Sequence, residues 1–535
     1  MASTPADVTQ PRLGARGWAR WVWRSLTSMR TALLLLLLLA VAAIPGSVWP
    51  QRSIDAARTS DYIAQHPTAG PVLDRLGFFE VYASPWFAAI YLLLLLSLVG
   101  CIVPRTRLHM RALRAAPPRA PRHLDRLSAS TTFTAPGGSE EVLEAARAAL
   151  RAKRYRVHRH DGESVSAESG YLRETGNLVF HTAVVLVIIG MAIGHLLGWK
   201  GDVIVPAGQT FANTLIRYDT FSPGPWVRTD ALHPFTIAVD RVDARFEDRV
   251  KTQGQYGMPR DFTAHVTVRD DPTAPARQAT VKVNHPLEMP GGTVFLLGNG
   301  YAPHLTVRDA TGTVVYREAT PFLTQDKNYK SVGAIKVEGA GVKGKGLGFS
   351  GFFLPTAAIL PETGPTSIFP DARRPAMALT LFEGDLYPQG RPQSVYTLDT
   401  SAMTQVKDAK GQPLRLWLEP GKTVTLPGGR GSITLDGVDR FAGLSIRHDP
   451  GKWLTLGAAL AALAGLIASL LVPRRRVFVR AVPSPDTEGT TLVTVGGLTK
   501  ADDQSMPDVL DDVRDRMLAA RGGPAPGTTA DSRTS

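Results

Sequence analysis

Cysteine is almost absent from this chain of 535 residues, which contains only Cys101. A single cysteine excludes an internal disulfide framework, a CxxC redox pair, a thiolate zinc cluster and a CxxCH motif for covalent haem attachment. Catalytic motifs are lacking as well, since there is no HExxH and no Ser/His/Asp arrangement in a recognisable context. The glycine-rich stretch 339–352 is not set in the strand–loop–helix context of a GxGxxG or P-loop unit, and it is therefore predicted to be a mobile loop and not a phosphate cradle.

Charged residues are missing from four long apolar runs. At a rise of about 1.5 Å per residue, runs of about 20 residues cross the ~30 Å hydrocarbon core of a bilayer. The first run could also be a cleavable signal peptide, but its long lead-in and the three later runs argue against cleavage. The sequence therefore predicts four transmembrane helices, at residues 31–49, 85–103, 178–198 and 453–472.

The basic residues are distributed unevenly along a chain whose formal net charge is +13. They are concentrated before the first run, between the second and third runs, and directly after the fourth. By the positive-inside rule, residues 1–30, 104–177 and 473–535 are predicted to be cytoplasmic, and residues 50–84 and 199–452 are predicted to lie outside. The charge thus indicates topology, and it is poor evidence for nucleic-acid binding, because no basic stripe interleaved with aromatic residues appears in any soluble part of the chain.

Short alternating runs of apolar and polar residues, separated by Gly, Pro, Asp and Asn, fill residues 199–452. This pattern is typical of an all-β sandwich or barrel. The predicted fold class is therefore a polytopic α-helical membrane protein with four transmembrane helices and a large extracytoplasmic all-β domain.

The segments predicted to be cytoplasmic differ in composition. After a basic, Pro-rich linker at 105–126, residues 104–177 are predicted to contain a small α/β unit, with a basic, partly disordered loop as the alternative. The tail at 473–535 is rich in Asp, Pro, Gly, Thr and Ser, and it is predicted to be largely disordered apart from a short helix from Pro507 to Ala520.

One ionisable residue, His181, lies near the start of the third run. Ionisable groups inside a membrane span are costly and indicate function, and a neutral imidazole is a natural axial ligand of haem iron. The alternative is a histidine near the cytoplasmic interface that reaches water or bonds a neighbouring helix. His195, near the other end of the run, is expected to reach the interface, and Cys101 is expected to be a small membrane hydrophobe.

Three separated segments resemble the ResB/CcsB family of cytochrome c biogenesis proteins of system II. They are YLRETGNLVFH at 171–181, VNHPLEMPGGTVFLLGNGYAP at 283–303 and RHDPGKWLTLGAALAALAGLIASLLVPRRRVFVR at 447–480. The four-span layout is also similar, and the resemblance covers roughly residues 25–480. The Leu-rich start, the high Arg and Ala content and the extended tail resemble an actinobacterial-type member.

This resemblance implies a subunit of a haem lyase complex that is not catalytic alone. With a ResC/CcsA-type membrane protein, it would carry haem b outward across the plasma membrane for covalent attachment to apocytochrome c. The resemblance makes His181 the axial ligand of the haem iron, with the other ligand from the partner. It also implies a thioredoxin-like thiol reductant as a further partner.

The ResC/CcsA-type partner family carries a tryptophan-rich loop that holds haem. The nine tryptophans of this chain form no such cluster, since they are at positions 18, 21, 23, 49, 86, 199, 226, 417 and 453. The sequence leaves two alternative functions: a membrane-anchored extracytoplasmic binding or scaffold protein without a cofactor, and a thiol-handling enzyme. The single cysteine argues against the second. His285 and His304 could line an outer haem or apocytochrome surface, although a structural role in turns is favoured for such residues.

Overall fold

The computed structural model of the chain describes residues 14–249, 254–342, 345–362, 364–388, 395–485, 488–499 and 504–521. The chain forms two compact units. The first contains the residues up to Gly190 together with those from Trp453 onward, and the second contains Met191–Lys452. The N-terminal residues before 14, and the tail beyond 521 for which disorder was predicted, lie outside the described residues.

In the part of the chain that the structure describes, four helices are long and apolar enough to cross a membrane, which confirms the predicted polytopic helical fold. They are the second, fifth, seventh and eighth helices of the chain. The helices are α1 (Ala15–Leu26), α2 (Met29–Val48), α3 (Ala56–Gln65), α4 (Ala69–Arg75), α5 (Pro85–Arg114), α6 (Ser139–Ala152), α7 (Tyr171–Leu197), α8 (Lys452–Leu471) and α9 (Met506–Ala519).

Helix α5 is longer than the predicted span. It begins at Pro85, after the N-cap Ser84, and continues through Pro104 to Arg114. The first ten residues of the predicted linker, 105–114, are therefore helical. Their sequence, RTRLHMRALR, consists mainly of Arg, Leu, Met and Ala, which have high helix propensity and extend the helix beyond the apolar run.

A five-stranded antiparallel sheet in the first unit combines two distant parts of the chain. Its strand order is β1-β24-β23-β3-β2, and helices α6 and α9 pack on it through a common apolar core. The small α/β unit predicted within 104–177 is therefore present, but strands from the C-terminal segment complete it. The strands are β1 (Ala129–Pro136), β2 (Arg156–Arg159), β3 (Ser164–Ser169), β23 (Arg475–Pro483) and β24 (Thr490–Thr499).

The prediction of a largely disordered tail was wrong for most of residues 475–519. Strands β23 and β24 form the centre of the sheet, and Val477, Val479 and Val495 are fully buried in its core. Alternate residues of a strand face the same side, so the valines at 477 and 479 meet the helices while neighbouring residues face away. The composition of residues 473–535, on which the prediction of disorder was based, does not show this alternation. The predicted helix in the tail is present as α9.

The second unit is rich in β-strands, which confirms the predicted all-β domain. Seven-, six-, four- and two-stranded sheets are present within its described residues. The strands are β4 (Trp199–Pro206), β5 (Thr210–Ala212), β6 (Thr220–Pro223), β7 (Thr236–Phe246), β8 (Pro259–Arg269), β9 (Arg277–Lys282), β10 (Leu287–Met289), β11 (Gly292–Arg308), β12 (Val314–Ala319), β13 (Leu323–Thr324), β14 (Ser331–Val337), β15 (Gly346–Leu354), β16 (Ala357–Leu360), β17 (Gly364–Ser367), β18 (Ala376–Gly384), β19 (Met403–Gln405), β20 (Arg415–Leu418), β21 (Thr423–Thr425) and β22 (Ser432–His448).

Two long strands, β11 and β22, connect the two main cores of this unit. They pair antiparallel over their whole lengths, with register shifts at Leu296/Gly298 and His304/Leu305. Val294 at the start of β11 lies in one core, and Leu305 near its end lies in the other. β-Bulges bend a strand and change which face a side chain points to, so one pair of strands can serve two cores.

The predicted mobile loop at 339–352 was wrong from residue 346 onward, where the chain forms β15; residues 343 and 344 are not described. This strand lies between β14 and β18 in the six-stranded sheet. A Cβ atom on Gly351 would stand 2.1 Å from the carbonyl oxygen of Ala378. Glycine therefore allows a close approach between strands here and does not provide mobility.

We expect Gly351→Ala to destabilise the second unit by about 1–3 kcal/mol, because backbone atoms cannot move away as a flexible side chain could. Thermal unfolding of the full-length chain in detergent measures this change. Gly437→Ala is the matched control, since a Cβ atom there meets nothing within 4 Å. Equal melting temperatures for the two variants would contradict the close-approach explanation.

Candidate functional site

An apolar cavity of about 300 Å³ lies between helices α2, α5 and α7 in the first unit. On each helix the lining residues recur at three- or four-residue spacing, which places them on one face. Leu33 and Leu36 at its edge are 61% and 54% exposed, so the described residues leave the cavity open there. It is lined by Met29, Ala32, Leu33, Leu36, Leu94, Leu98, Cys101, Ile102, Arg105, Asn177, Leu178 and His181.

His181 is the imidazole of this cavity, and it is half-buried. Its Nδ1 atom lies 2.8 Å from the backbone carbonyl oxygen of Asn177, one helical turn earlier. A carbonyl oxygen only accepts hydrogen bonds, so Nδ1 is the donor, and in the neutral imidazole Nε2 then keeps its lone pair. Among the described residues, Nε2 has no hydrogen-bond partner. This is the tautomer and the arrangement in which histidine ligates a metal.

Helix α5 is fixed against the junction between α1 and α2 by three residues on one of its faces. The Ser97 hydroxyl donates to the carbonyl oxygen of Leu26 at 2.7 Å, and the Cys101 thiol donates to that of Thr27 at 2.9 Å. A Cβ atom on Gly100 would stand 2.1 Å from the Thr27 side chain. Cys101 therefore lines the cavity as a small packed residue, in agreement with the role expected for it.

Helix α7 packs closely on α8 through glycines. A Cβ atom on Gly176 would stand 2.6 Å from the carbonyl oxygen of Gly465, and one on Gly465 would stand 2.7 Å from that of Gly176. Small residues let transmembrane helices approach until their backbones touch. Gly176 lies about one and a half turns before His181, so this contact fixes the segment of α7 that carries the imidazole.

The start of α7 is fixed by an ion-pair cluster around Glu168 at the end of β3. This carboxylate is only 5% exposed, forms an ion pair with Arg476 and accepts a hydrogen bond from Tyr171. Arg474 lies 3.6 Å from the same carboxylate. Burial acts to raise the pKa of Glu168, but the bonds from Tyr171 and Arg476 outweigh it and hold the pKa below its usual value of 4.5.

The other histidines singled out in the sequence have different surroundings. His195 is exposed on α7. His285 closes a two-residue turn by exchanging backbone hydrogen bonds with Lys282, which is the structural turn role favoured above. The Nε2 atom of His304 lies 2.6 Å from Asp439 on the exposed surface of β11 and β22. Within the described residues, no three His, Cys, Asp or Glu side chains gather into a group that could hold a metal ion.

Sequence reasoning missed two polar residues of the cavity, Arg105 and Asn177. Helical spacing places both on faces that line the cavity once His181 and Cys101 are known to line it. Asn177 precedes His181 by four residues, and Arg105 follows Cys101 by four. The cavity therefore combines apolar walls, one imidazole with an available lone pair, and one cationic end. An apolar pocket with a few convergent polar groups is typical of a small-molecule site, and this one suits a flat, apolar, anionic metal complex such as haem.

Comparisons with known proteins agree with the sequence resemblance. The model of the ResB-like family matches residues 29–511. Similar curated proteins include three that are each named "Cytochrome c biogenesis protein CcsB". The protein from Thermosynechococcus vestitus is 29% identical over 295 residues, which cover 53% of this chain and 61% of the relative.

The two other relatives are similar over comparable lengths. The Picosynechococcus protein is 26% identical over 54% of this chain and 60% of the relative, and a Synechococcus protein is 27% identical over 52% and 60%. The chain thus spans about three fifths of the length of the curated relatives it matches. Because the family model matches far more than half of the chain, the chain belongs to the ResB-like family.

Proposed function

We propose that this chain is a cytochrome c biogenesis protein that carries haem b across the membrane together with a ResC/CcsA-type membrane partner. The name shared by its relatives, cytochrome c biogenesis protein CcsB, supports the pathway. In this proposal the two proteins form the haem lyase, and this chain is not catalytic alone. Haem is the cargo of the pair and is transiently bound.

One observation carries the proposal: the His181 imidazole lines an apolar cavity among membrane-spanning helices with its Nδ1 bound to the carbonyl of Asn177. The Nε2 lone pair can then ligate haem iron, while the leucines of α2 and α5 contact the porphyrin ring. Haem supplies the iron and the redox chemistry. This chain contributes one ligand, an apolar surface and exclusion of water.

The cavity supports a site shared between two chains. Leu33 and Leu36 leave it open at the edge, and His181 is the single imidazole among its lining residues. A six-coordinate haem needs a second axial ligand, and we propose that a histidine of the partner supplies it across the open edge. A second membrane protein would also cover the exposed leucines.

The charge distribution supports an orientation with both termini and the five-stranded sheet in the cytoplasm and the β-rich unit outside the plasma membrane. In this orientation, His181 lies near the cytoplasmic end of its span and meets haem that enters from that side. The outer unit presents apocytochrome c to the partner. A thioredoxin-like protein supplies the thiol reduction, since Cys101 is this chain's only cysteine.

The test is an absorption spectrum with haem quantification on the full-length chain, purified with and without its A-type partner. We expect a Soret band that requires both chains and that His181→Gly reduces at least about tenfold, as loss of a metal ligand should. Added imidazole should restore the band by filling the space of the missing side chain. His195→Gly, an exposed position on the same helix, is the matched control and should leave the band unchanged.

A colourless complex that contains both chains in stable association would contradict the proposal. In that case the chain would be a membrane-anchored extracytoplasmic binding or scaffold protein without a cofactor, and His181 would be an interfacial histidine. A band that is unchanged in His181→Gly would reject this residue as the ligand while keeping haem in the complex.

A further inference from the structure

A second cavity, also of about 300 Å³, shares two lining residues with the cavity of His181. The shared residues are Arg105 on α5 and Asn177 on α7. The remaining lining residues of the second cavity are Arg173, Glu174 and Ser469. The apolar cavity therefore adjoins a polar one toward the N-terminal end of α7.

Helical spacing places the polar groups in a row. Arg173, Asn177 and His181 follow one another at four-residue intervals and lie on one face of α7. Arg173 precedes His181 by eight residues, which corresponds to about 12 Å along the helix axis. Arg105 lies on α5, on the face that also carries Cys101 and faces the cavity. The row thus leads from an imidazole inside the span to two guanidinium groups near its end.

The charges of the second cavity do not cancel. Two arginines and one glutamate line it, so its formal charge is +1 (two minus one). Glu174 lies 3.9 Å from the Arg105 guanidinium, whose side chain is 55% exposed, so this ion pair is long and weak. Arg173 has no ion-pair partner among the described residues. Guanidinium groups bind carboxylates in a bidentate manner, and this cavity can accept an anionic group.

We propose that Arg105 and Arg173 bind the two propionate carboxylates of the haem whose iron His181 ligates. This inference rests on the proposed function and extends it, because it gives the haem one orientation. The apolar edge of the ring lies among the leucines of α2 and α5, and the propionate edge lies at the N-terminal end of α7. Asn177 joins the two parts, since its carbonyl sets the His181 tautomer and the residue lines both cavities.

The experiment compares haem b with haem b dimethyl ester, in which both carboxylates are capped. Each is titrated into the full-length chain in complex with its partner, and the Soret absorbance gives the affinity. The wild type should bind haem at least about tenfold more tightly than the ester, which corresponds to about 1.4 kcal/mol. The double variant Arg105→Leu with Arg173→Leu should bind both compounds equally, with its affinity for the ester unchanged.

Arg107→Leu is the matched control, because Arg107 is exposed on α5 two residues from Arg105 and thus on another face. It should discriminate between the two compounds as the wild type does. A wild type that binds both compounds equally through His181 would overturn the inference and leave the proposed function intact. This outcome is measured on the wild type alone, so it does not depend on whether the double variant folds. A wild type without any His181-dependent Soret band would reject the proposed function itself.

Discussion

Gly465→Leu is expected to remove almost all properly folded protein from the membrane. At this position a Cβ atom already stands 2.7 Å from both the carbonyl oxygen of Gly176 and the backbone nitrogen of Phe180. Backbone atoms of a helix cannot give way locally, so the four carbons of leucine force α7 and α8 apart. Phe180 is the neighbour of His181, and the displacement therefore reaches the candidate ligand directly.

Gly457→Leu on the same helix provides the control. A Cβ atom at Gly457 meets nothing within 4 Å, and leucine there adds apolar surface without a clash. Both variants change the hydrophobicity and helix propensity of α8 equally, so only packing distinguishes them. The measurement is the amount of full-length, monodisperse protein after detergent extraction, followed by its thermal unfolding. Normal yield and stability for Gly465→Leu would show that α7 and α8 are not in close contact.

Glu168→Gln is expected to destabilise the first unit by about 3 kcal/mol. Removing one member of a buried ion pair leaves the other charge without compensation, at a typical cost of about 3–5 kcal/mol. The lower end applies here because Arg474 is 12% exposed and Arg476 is 38% exposed, so water reaches part of the released charge. Glu163→Gln in the same hairpin is the control, since Glu163 is exposed, and it should change nothing.

The same cluster predicts a dependence of stability on pH. The folded state holds the pKa of Glu168 below its usual value of 4.5, so the carboxylate stabilises the fold fully above that value. Stability should therefore fall as the pH decreases below about 4.5, through the folded-state pKa, where protonation removes the ion pair. Melting temperatures of the wild type and Glu168→Gln should converge toward low pH. A constant difference between them at all pH values would argue against the ion pair as the cause.

The membrane-spanning helices and the β-rich unit were predictable because their signals are contained within short windows. A run such as 85–103 has one plausible structure in a bilayer, whatever the rest of the chain does. Where each helix ends was less predictable. Arg, Leu, Met and Ala continue α5 to Arg114, although the apolar run ends eleven residues earlier.

The strands after the fourth span show where sequence reasoning failed. Residues 473–535 have the composition of a disordered tail, yet Val477, Val479 and Ala481 lie at alternate positions of one strand and are fully buried. Their burial depends on β3 and β24, and the partner β3 lies in a segment that precedes the third span. A pairing over so many residues cannot be recognised from either segment alone.

For the candidate site, the sequence indicated the candidate ligand, His181, but not its surroundings. His181 was evident because an imidazole in an apolar run is expensive. Arg105 and Arg173 resembled the many other arginines that mark the end of a span, and their relation to the cavity depends on how α5 and α7 face each other. The requirement for glycine at positions 176 and 465 was equally unpredictable from the sequence, because it depends on the contact between α7 and α8.

The five-stranded sheet has a consequence for the synthesis of the protein. Strands β1, β2 and β3 leave the ribosome first, but β3 pairs with β23, which begins about 300 residues later at Arg475. At roughly 5–20 residues per second, β3 waits roughly 15–60 s with one edge unpaired, and β1, whose neighbour in the sheet is β24, waits without a strand partner. During this interval two spans must be inserted and the β-rich unit must be made between them. The last strands to be synthesised thus complete a domain that the first half of the chain began, and the sheet can close only after all four spans have been inserted.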